Sequence, residues 1–397
     1  MQNKNLKKGV KIMILGLTGI LLAAVIIVYL ASGGFLKAQY LEPWQKSYSD
    51  IFDDPRIKLA AHGILAANGH NMQPWNIKLD TDKNVFYLFA DSERLTKEVD
   101  PYARQTMITQ GTFLEYVRVA GERLGYKADI TFFPDGEYDE QNLENSMNTK
   151  PVAKITITKT EPKSSSLYDY MFLPDTNRGA YSKKELTPEE IKQLHAILTD
   201  SDMTLEIFQD EDNKKNLGNY AIVGAKIESG IHRINQESAN VFRANEYQKN
   251  KYRYGFSVEG QGTTAIMKHV LQGIITLFPS INNEKNSADL YVKSTQTGVD
   301  NTSGYAMIIT KDNSRTEQVK CGMLYSKLIL TAHSLGLVMQ PPSQVLEEYP
   351  EMSEQYTKIH KDYAPKGGTI QMFFRIGQPT QKFPQSMRRD VMDIIMQ

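Results

Sequence analysis

The sequence predicts an α+β protein in which one mixed sheet-and-helix unit is built twice in a single chain, behind one N-terminal transmembrane helix. Two observations carry that prediction. The stretch ARQTMITQGTFLEYVRVAGERLG is echoed by SRTEQVKCGMLYSKLILTAHSLG: Arg104 lies seven residues before Gly111 and Gly125 fourteen after it, and Arg315, Gly322 and Gly336 repeat both spacings. Near the start, Ile12 to Ala31 runs for twenty residues without a charge, the length a helix needs to cross a bilayer.

Lys4, Lys7, Lys8 and Lys11 precede the apolar run. Their charge predicts residues 1–11 in the cytoplasm, a span over 12–31 with Tyr29 near an interface, and the body on the outer side. A cleaved signal peptide normally has a shorter apolar core, and no cysteine marks a lipoprotein processing site, so an uncleaved anchor is expected. Residues 32–49 then read as a tether, 50–165 as the first unit and 166–397 as the second.

Within the repeat, the apolar positions correspond: Phe113 with Leu324, Val117 with Leu328, Val119 with Leu330 and Leu124 with Leu335. Both copies read as amphipathic helices stopped by a glycine. A weaker echo lies upstream, where HGILAA from His62 resembles HAILTD from His195. The offset is 133 residues there and 211 between the glycines, so the second copy holds about 78 extra residues, expected near 213–299 as a lid. Strand-like runs accompany each copy, NVFYLFA and VAKITITK in the first, YAMIIT and IQMFFRIG in the second. Fused copies of this size commonly replace a symmetric homodimer, so a monomeric pseudo-dimer with its two cores packed together is expected.

Composition removes several functional classes. Lys plus Arg and Asp plus Glu are 46 each, without the basic excess that nucleic acid usually requires. The lone Cys321 sits in an apolar helical pattern and reads as a buried thiol. Seven scattered histidines show no metal-ligand spacing, and neither a GxSxG elbow nor a Walker loop occurs. EGQGTTA, from Glu259, matches a dinucleotide fingerprint formally, but lacks a strand-turn-helix context and reads as a loop in the lid.

What remains is a set of polar groups without an evident acid, base or nucleophile. Such a set fits a protein whose reaction is carried by a bound cofactor, and equally a protein with no reaction. GHNMQPWNI, Gly69 to Ile77, places two amides and an indole directly after the run RIKLAAHGILAAN. A flavin mononucleotide presents an edge of alternating carbonyls and nitrogens, which Asn71 and Gln73 could meet as both donors and acceptors. Pro74 biases Gln73 toward extended backbone, which would project the two amides to one side, while Trp75 would either cap the site or fill core. A phosphate wants arginine. Arg178 lies in a loop ahead of a helix that Thr187, Pro188 and Glu190 should cap, and Arg388 and Arg389 stand before a short apolar helix.

Taken together, GHNMQPW resembles the NxQPW signature of the flavin-dependent nitroreductase family. TNRGAY resembles that family's arginine-bearing opening, RIGQP followed by RRDVMDII its closing segment, and DPYARQTMITQG and SRTEQVKCG its central helix starts. The order and the duplication resemble its fused, double-domain (Acg-type) branch, over the chain from about residue 50 onward. The resemblance implies FMN between the two halves, with Asn71 and Gln73 at the ring or ribityl chain and Arg178, Arg388 and Arg389 at the phosphate. His70 and Asn177 complete the implied set, and no side chain need be catalytic because FMN carries the chemistry. The chain departs from the family at Ala67 and Asn68, where Pro-Ser is common, and at Pro174 and Asp175, where further arginines often stand. The implied activity is hydride transfer through flavin N5 to a nitroaromatic or quinone-like acceptor, with NAD(P)H as a candidate donor. The alternatives are a protein that stores or shields the flavin without turnover, and a membrane-tethered interaction protein on an inactive scaffold.

Overall fold

The computed structural model describes residues 2–263 and 265–396. It begins with α1 (Gln2–Ser32), of which Lys8–Ser32 is long and apolar enough to cross a membrane and is exposed along most of its length.

The first unit contains α2 (Pro55–Gly63), β1 (Trp75–Leu79), β2 (Val85–Ala90), α3 (Arg104–Leu124), β3 (Tyr126–Phe132), α4 (Leu143–Thr149) and β4 (Ala153–Lys159). Its strands form an antiparallel sheet in the order β1-β2-β4-β3, with Trp75 opposite Ala90 and Ile130 opposite Ile155. The second unit contains α5 (Pro188–Ala196), β5 (Met203–Phe208), then α6 (Glu211–Ser229), α7 (His232–Val241), α8 (Glu246–Tyr252), α9 (Ala265–Leu277) and α10 (Glu284–Asp300), followed by β6 (Gly304–Thr310), α11 (Arg315–Ser334), β7 (Val338–Gln340), α12 (Ser353–Tyr363) and β8 (Thr369–Gly377). Its sheet order, β5-β6-β8-β7, is the first order over again, with α11 in the place of α3. The duplication read from the sequence is therefore a duplication of topology. The weak echo fits as well, because α2 and α5 each precede the first strand of their sheet.

Local chemistry explains the helix ends. Asp54 caps α2 by accepting from Arg56 N, and Thr187 and Glu190 cap α5 reciprocally with Pro188 in the first turn. Gly125 and Gly336 stop α3 and α11 with φ of +80° and +73°, a left-handed conformation that glycine reaches without a Cβ penalty.

α3 and α11 cross at their repeated glycines. A β-carbon on Gly111 would overlap the Val319 carbonyl and lie 2.9 Å from Gly322 Cα; one on Gly322 would overlap the Ile108 carbonyl. The repeated arginines exchange across the same seam. Arg104 donates to Leu346 O and Gln371 O at 2.7 Å each, and Arg315 donates to Tyr102 O at 2.7 Å and to Glu140. Both helices are buried on nearly every side rather than amphipathic, because each faces its own sheet and the other unit. Cys321 is fully buried here, and that burial drives its thiol pKa up.

Two boundaries differ from those read in the sequence. Residues 32–49 are not a loose tether: Tyr40, Trp44 and Tyr48 are buried, and Trp44 Nε1 donates to Ser386 O at 2.8 Å. Their aromatic surface cannot stay in water when an apolar face lies within reach. The C-terminal tail also leaves the second unit. Val391 and Ile394 join the first unit's core, Ile395 bridges to Ile77, and Met396 N donates to Ile77 O, which covers the open edge of β1.

Candidate functional site

The segment Asn68–Pro74 leaves the first unit's core in an unusual backbone, with His70, Asn71 and Gln73 all at φ near +50°. The extended backbone expected at Gln73 is thus corrected. Asn68 Oδ1 accepts from Gln73 N at 2.9 Å and Trp75 N donates to Gln73 O at 2.9 Å, so a tight turn closes around Pro74. Positive φ outside glycine is costly and needs surrounding bonds to hold it.

Those bonds come from distant parts of the chain. Asn71 Nδ2 donates to Gly255 O (2.9 Å) and Met387 O (3.0 Å), and its Oδ1 accepts from Arg388 Nη1 at 3.0 Å. Gln73 is fully buried; its Nε2 donates to Arg253 O at 2.9 Å and its Oε1 accepts from Arg389 N at 2.8 Å. The motif therefore joins the C-terminal tail and the insert between β5 and β6. Both amides commit their two ends to protein and each oxygen keeps a second acceptor lone pair, but Gln73 is fully buried while Asn71 is only half-buried, so the spare acceptor of Asn71 is the more accessible. Trp75 fills core, with Nε1 donating to Thr109 O at 3.0 Å and its ring against Phe113.

Arg388 is fully buried, donating to Leu65 O at 2.8 Å and Asp175 Oδ2 at 3.2 Å, with its guanidinium over the Trp44 ring. Asp175 is thus its counter-charge. Arg389 donates to Gln73 O and to Asp393 O, and burial followed by the nearby Arg94 charge brings it down to about 10. The short helix expected after them is a single 3-10 turn, Val391–Ile394, capped by Asp390, too short to offer an anion site of its own. Asn177 is structural: its Nδ2 donates to Gln381 O and its Oδ1 accepts from Gly179 N.

Arg178 is placed differently. Protein surrounds it and pulls its pKa down, yet its side chain retains solvent exposure. Its one protein hydrogen bond among the described residues runs to Gly260 O at 3.3 Å, which leaves guanidinium donors for a ligand. His70 lies near enough to feel its charge; burial, then the Arg178 charge, push it to about 4, so it is neutral at physiological pH. The structure thus brings Asn71, Gln73, Arg388 and Arg389 into one bonded cluster, sets Arg178 and His70 on an adjoining solvent-reached wall, and leaves Asn177 behind it. Among the described residues, no group of three or more His, Cys, Asp or Glu side chains is arranged for a metal.

Several groups had no sequence signal. Tyr291 of α10 lies close enough to Arg178 to act on its charge, and its hydroxyl donates to Glu228 Oε2 at 2.9 Å. Burial raises Glu228 to about 7, and burial with the Glu228 charge raises Glu347 too. Gln105 Nε2 reaches Glu347 Oε1 at 3.4 Å, while Glu347 Oε2 has no partner among the described residues. Two carboxyls, from α6 and the segment after β7, are thus both held toward their protonated forms by burial in this wall. A glutamate in an ordinary helical or loop context carries no mark of such a pairing.

The architecture and this seam define a class: an α+β chain of two like units meeting at two central helices, with its polar cluster at the junction. No family model matches the chain. Over 206 residues it is 23% identical to PigM of Serratia sp. (strain ATCC 39006), described as a probable NAD(P)H nitroreductase; the match spans 50% of this chain and 55% of PigM. Over 349 residues it is 18% identical to an uncharacterized protein of Mycobacterium tuberculosis, spanning 84% of this chain and 90% of that one. Among solved structures it is similar to a nitroreductase-like family protein from Bacillus cereus (TM-score 0.32, 11% identity, 60% and 98% coverage). A nitroreductase with bound FMN from Desulfitobacterium hafniense also matches (TM-score 0.32, 7% identity, 57% and 96% coverage).

Proposed function

We propose that this chain is a membrane-anchored, FMN-dependent oxidoreductase of nitroreductase type, with a single flavin site at the seam of its two units. The observation that carries the reading is the 3.0 Å bond between Asn71 and Arg388, residues 317 positions apart. It supports convergence of GHNMQPW from the first unit and RRDVMDII from the second on one seam. The sequence similarity to a nitroreductase, though it covers about half of each chain, points the same way.

The donor chemistry suits an anionic, planar ligand. Arg178 would hold the phosphate through donors that the protein leaves open, with neutral His70 beside it. Asn71 would offer its remaining lone pair toward the flavin, while Gln73, Arg388, Arg389 and Asn177 keep the wall in shape. FMN, when bound, supplies hydride transfer from a nicotinamide donor to an electron-poor acceptor such as a nitroaromatic or quinone. The surrounding protein fixes orientation, and Glu228, raised by burial, can hold a proton at the wall.

A second reading, flavin shielding without turnover, draws on the insert. Its carbonyls at Arg253, Gly255 and Gly260 accept from Gln73, Asn71 and Arg178, so it is fastened over the site. Purified full-length protein in detergent should be yellow, or become so with FMN, and Arg178→Ala should lose colour on dialysis. A preparation that stays colourless after incubation with FMN would sink both readings. Bleaching by NADH or NADPH selects the reductase; colour that yields only to dithionite selects shielding.

A further inference from the structure

α9 is built inside out. Its polar residues recur every fourth position and face the body: Lys268 lies 3.4 Å from Glu246 and 3.5 Å from Glu259, Gln272 donates to Glu246 at 3.0 Å, and Thr276 accepts from Asn245 at 3.0 Å. Its apolar residues are half-buried along its middle and exposed at its ends, with Ile266 81% exposed and Leu277, and Phe278 just after the helix, also exposed. Ile281 in the following turn and Leu290 on α10 continue that surface. A soluble helix hides its apolar side and shows its polar side to water. Here the order is reversed.

This same helix packs on α1. A β-carbon on Gly273 would overlap the Val28 carbonyl, and the His269 ring meets Tyr29 edge-on with centroids 5.9 Å apart. A small residue permitting backbone contact is how helices associate in lipid. Because Gly273 meets Val28 while His269 lies against Tyr29 and Gly34, the two helices run antiparallel, and the C-terminal end of α9 points toward the middle of α1. Leu277 lies one turn, ~6 Å, further along. The segment between is rigidly seated, with Tyr247 hydroxyl donating to Leu30 O and Tyr40 hydroxyl to Glu246.

We propose that the tip of the α9–α10 hairpin, the C-terminal end of α9 and the turn after it with Leu277, Phe278 and Ile281, enters the interfacial layer of the lipid bilayer beside α1, while Glu284 and Lys285 at the start of α10 stay at the headgroups. The inference rests on α1 being a membrane anchor. The continuity of the exposed apolar surface with that helix selects lipid over a protein partner, and Leu277, which lies ~10 Å along α1 from the Ala31 end of its apolar run, suits an interfacial element. The insert that closes the candidate site would then also touch the membrane.

Full-length protein in vesicles carrying nitroxide-labelled acyl chains tests this. Single Leu21→Cys, Phe278→Cys and Tyr102→Cys variants, each labelled with an environment-sensitive fluorophore, report α1, the hairpin tip and the exposed body; native Cys321 is buried. Quenching at 278 several-fold above that at 102, and comparable to that at 21, is the expected result. Quenching at 21 but only the background of 102 at 278 overturns the hairpin and leaves the anchor standing. Absence of quenching at both 21 and 278 overturns the anchor reading, and the hairpin with it. Quenching absent at 278 together with energy transfer between copies labelled there assigns the surface to a second copy instead.

Discussion

Gly111 and Gly322 face each other where α3 crosses α11, with no room for a side chain on either. Gly111→Ala should cost about 1–3 kcal/mol, the usual range for forcing atoms into a packed core. Gly322→Ala should cost a similar amount, since each β-carbon meets the opposite helix's carbonyl. Urea unfolding of both variants checks this, and a loss below about half a kcal/mol in either would contradict the crossing described.

Gln73 should be a structural residue first. Gln73→Ala removes the partners of Arg253 O and Arg389 N in a fully buried position, and orphaned polar groups there cost about 1–3 kcal/mol each. The expected outcome is a lowered unfolding midpoint even without flavin, together with faster proteolysis in the C-terminal tail. A variant that loses flavin at unchanged stability would show that its amide serves the ligand directly.

Stability should fall with rising pH through the weakly acidic range. Glu228 is raised from its ordinary 4.5 to about 7 by burial, so the folded state binds more protons than the unfolded chain between those values. Its contribution is fully present below the unfolded pKa and is lost as pH rises through the folded one, at up to about 1.4 kcal/mol per pH unit. Glu228→Gln should flatten the dependence of the urea midpoint on pH between about 5 and 7. An unchanged slope removes Glu228 as its source.

Removing residues 1–49 should destabilise the body far more than removing residues 1–32. The longer truncation strips Tyr40, Trp44 and Tyr48, each buried, at about 1.5–3 kcal/mol per large side chain, and uncovers the guanidinium of Arg388. Thermal unfolding of the two truncated proteins compares them, and equal midpoints would mean that the segment adds nothing.

Most of the repeated scaffold was legible in the sequence. The strand runs at NVFYLFA, VAKITITK, YAMIIT and IQMFFRIG all lie in strands, and the short WNIKL and MTLEIF strands that begin each sheet were hidden by brevity and by charged residues on their open faces. The candidate site was legible only as a list of residue types. Asn71 and Arg388 have no local pattern that announces their pairing, and nothing near Gln73 reveals that the insert's carbonyls would occupy its amide.

The sequence by itself determined the duplication with its repeated glycines, the cap of α5 and the apolar span, because each depends on periodicity or on a residue's own conformational limits. Only the tertiary structure decided that the C-terminal tail returns to the first unit, that residues 32–49 pack down, and that Glu228 and Glu347 share one buried wall. Such pairings join residues tens to hundreds of positions apart. Their energies arise from desolvation and contact at the meeting point, which no short stretch of chain contains.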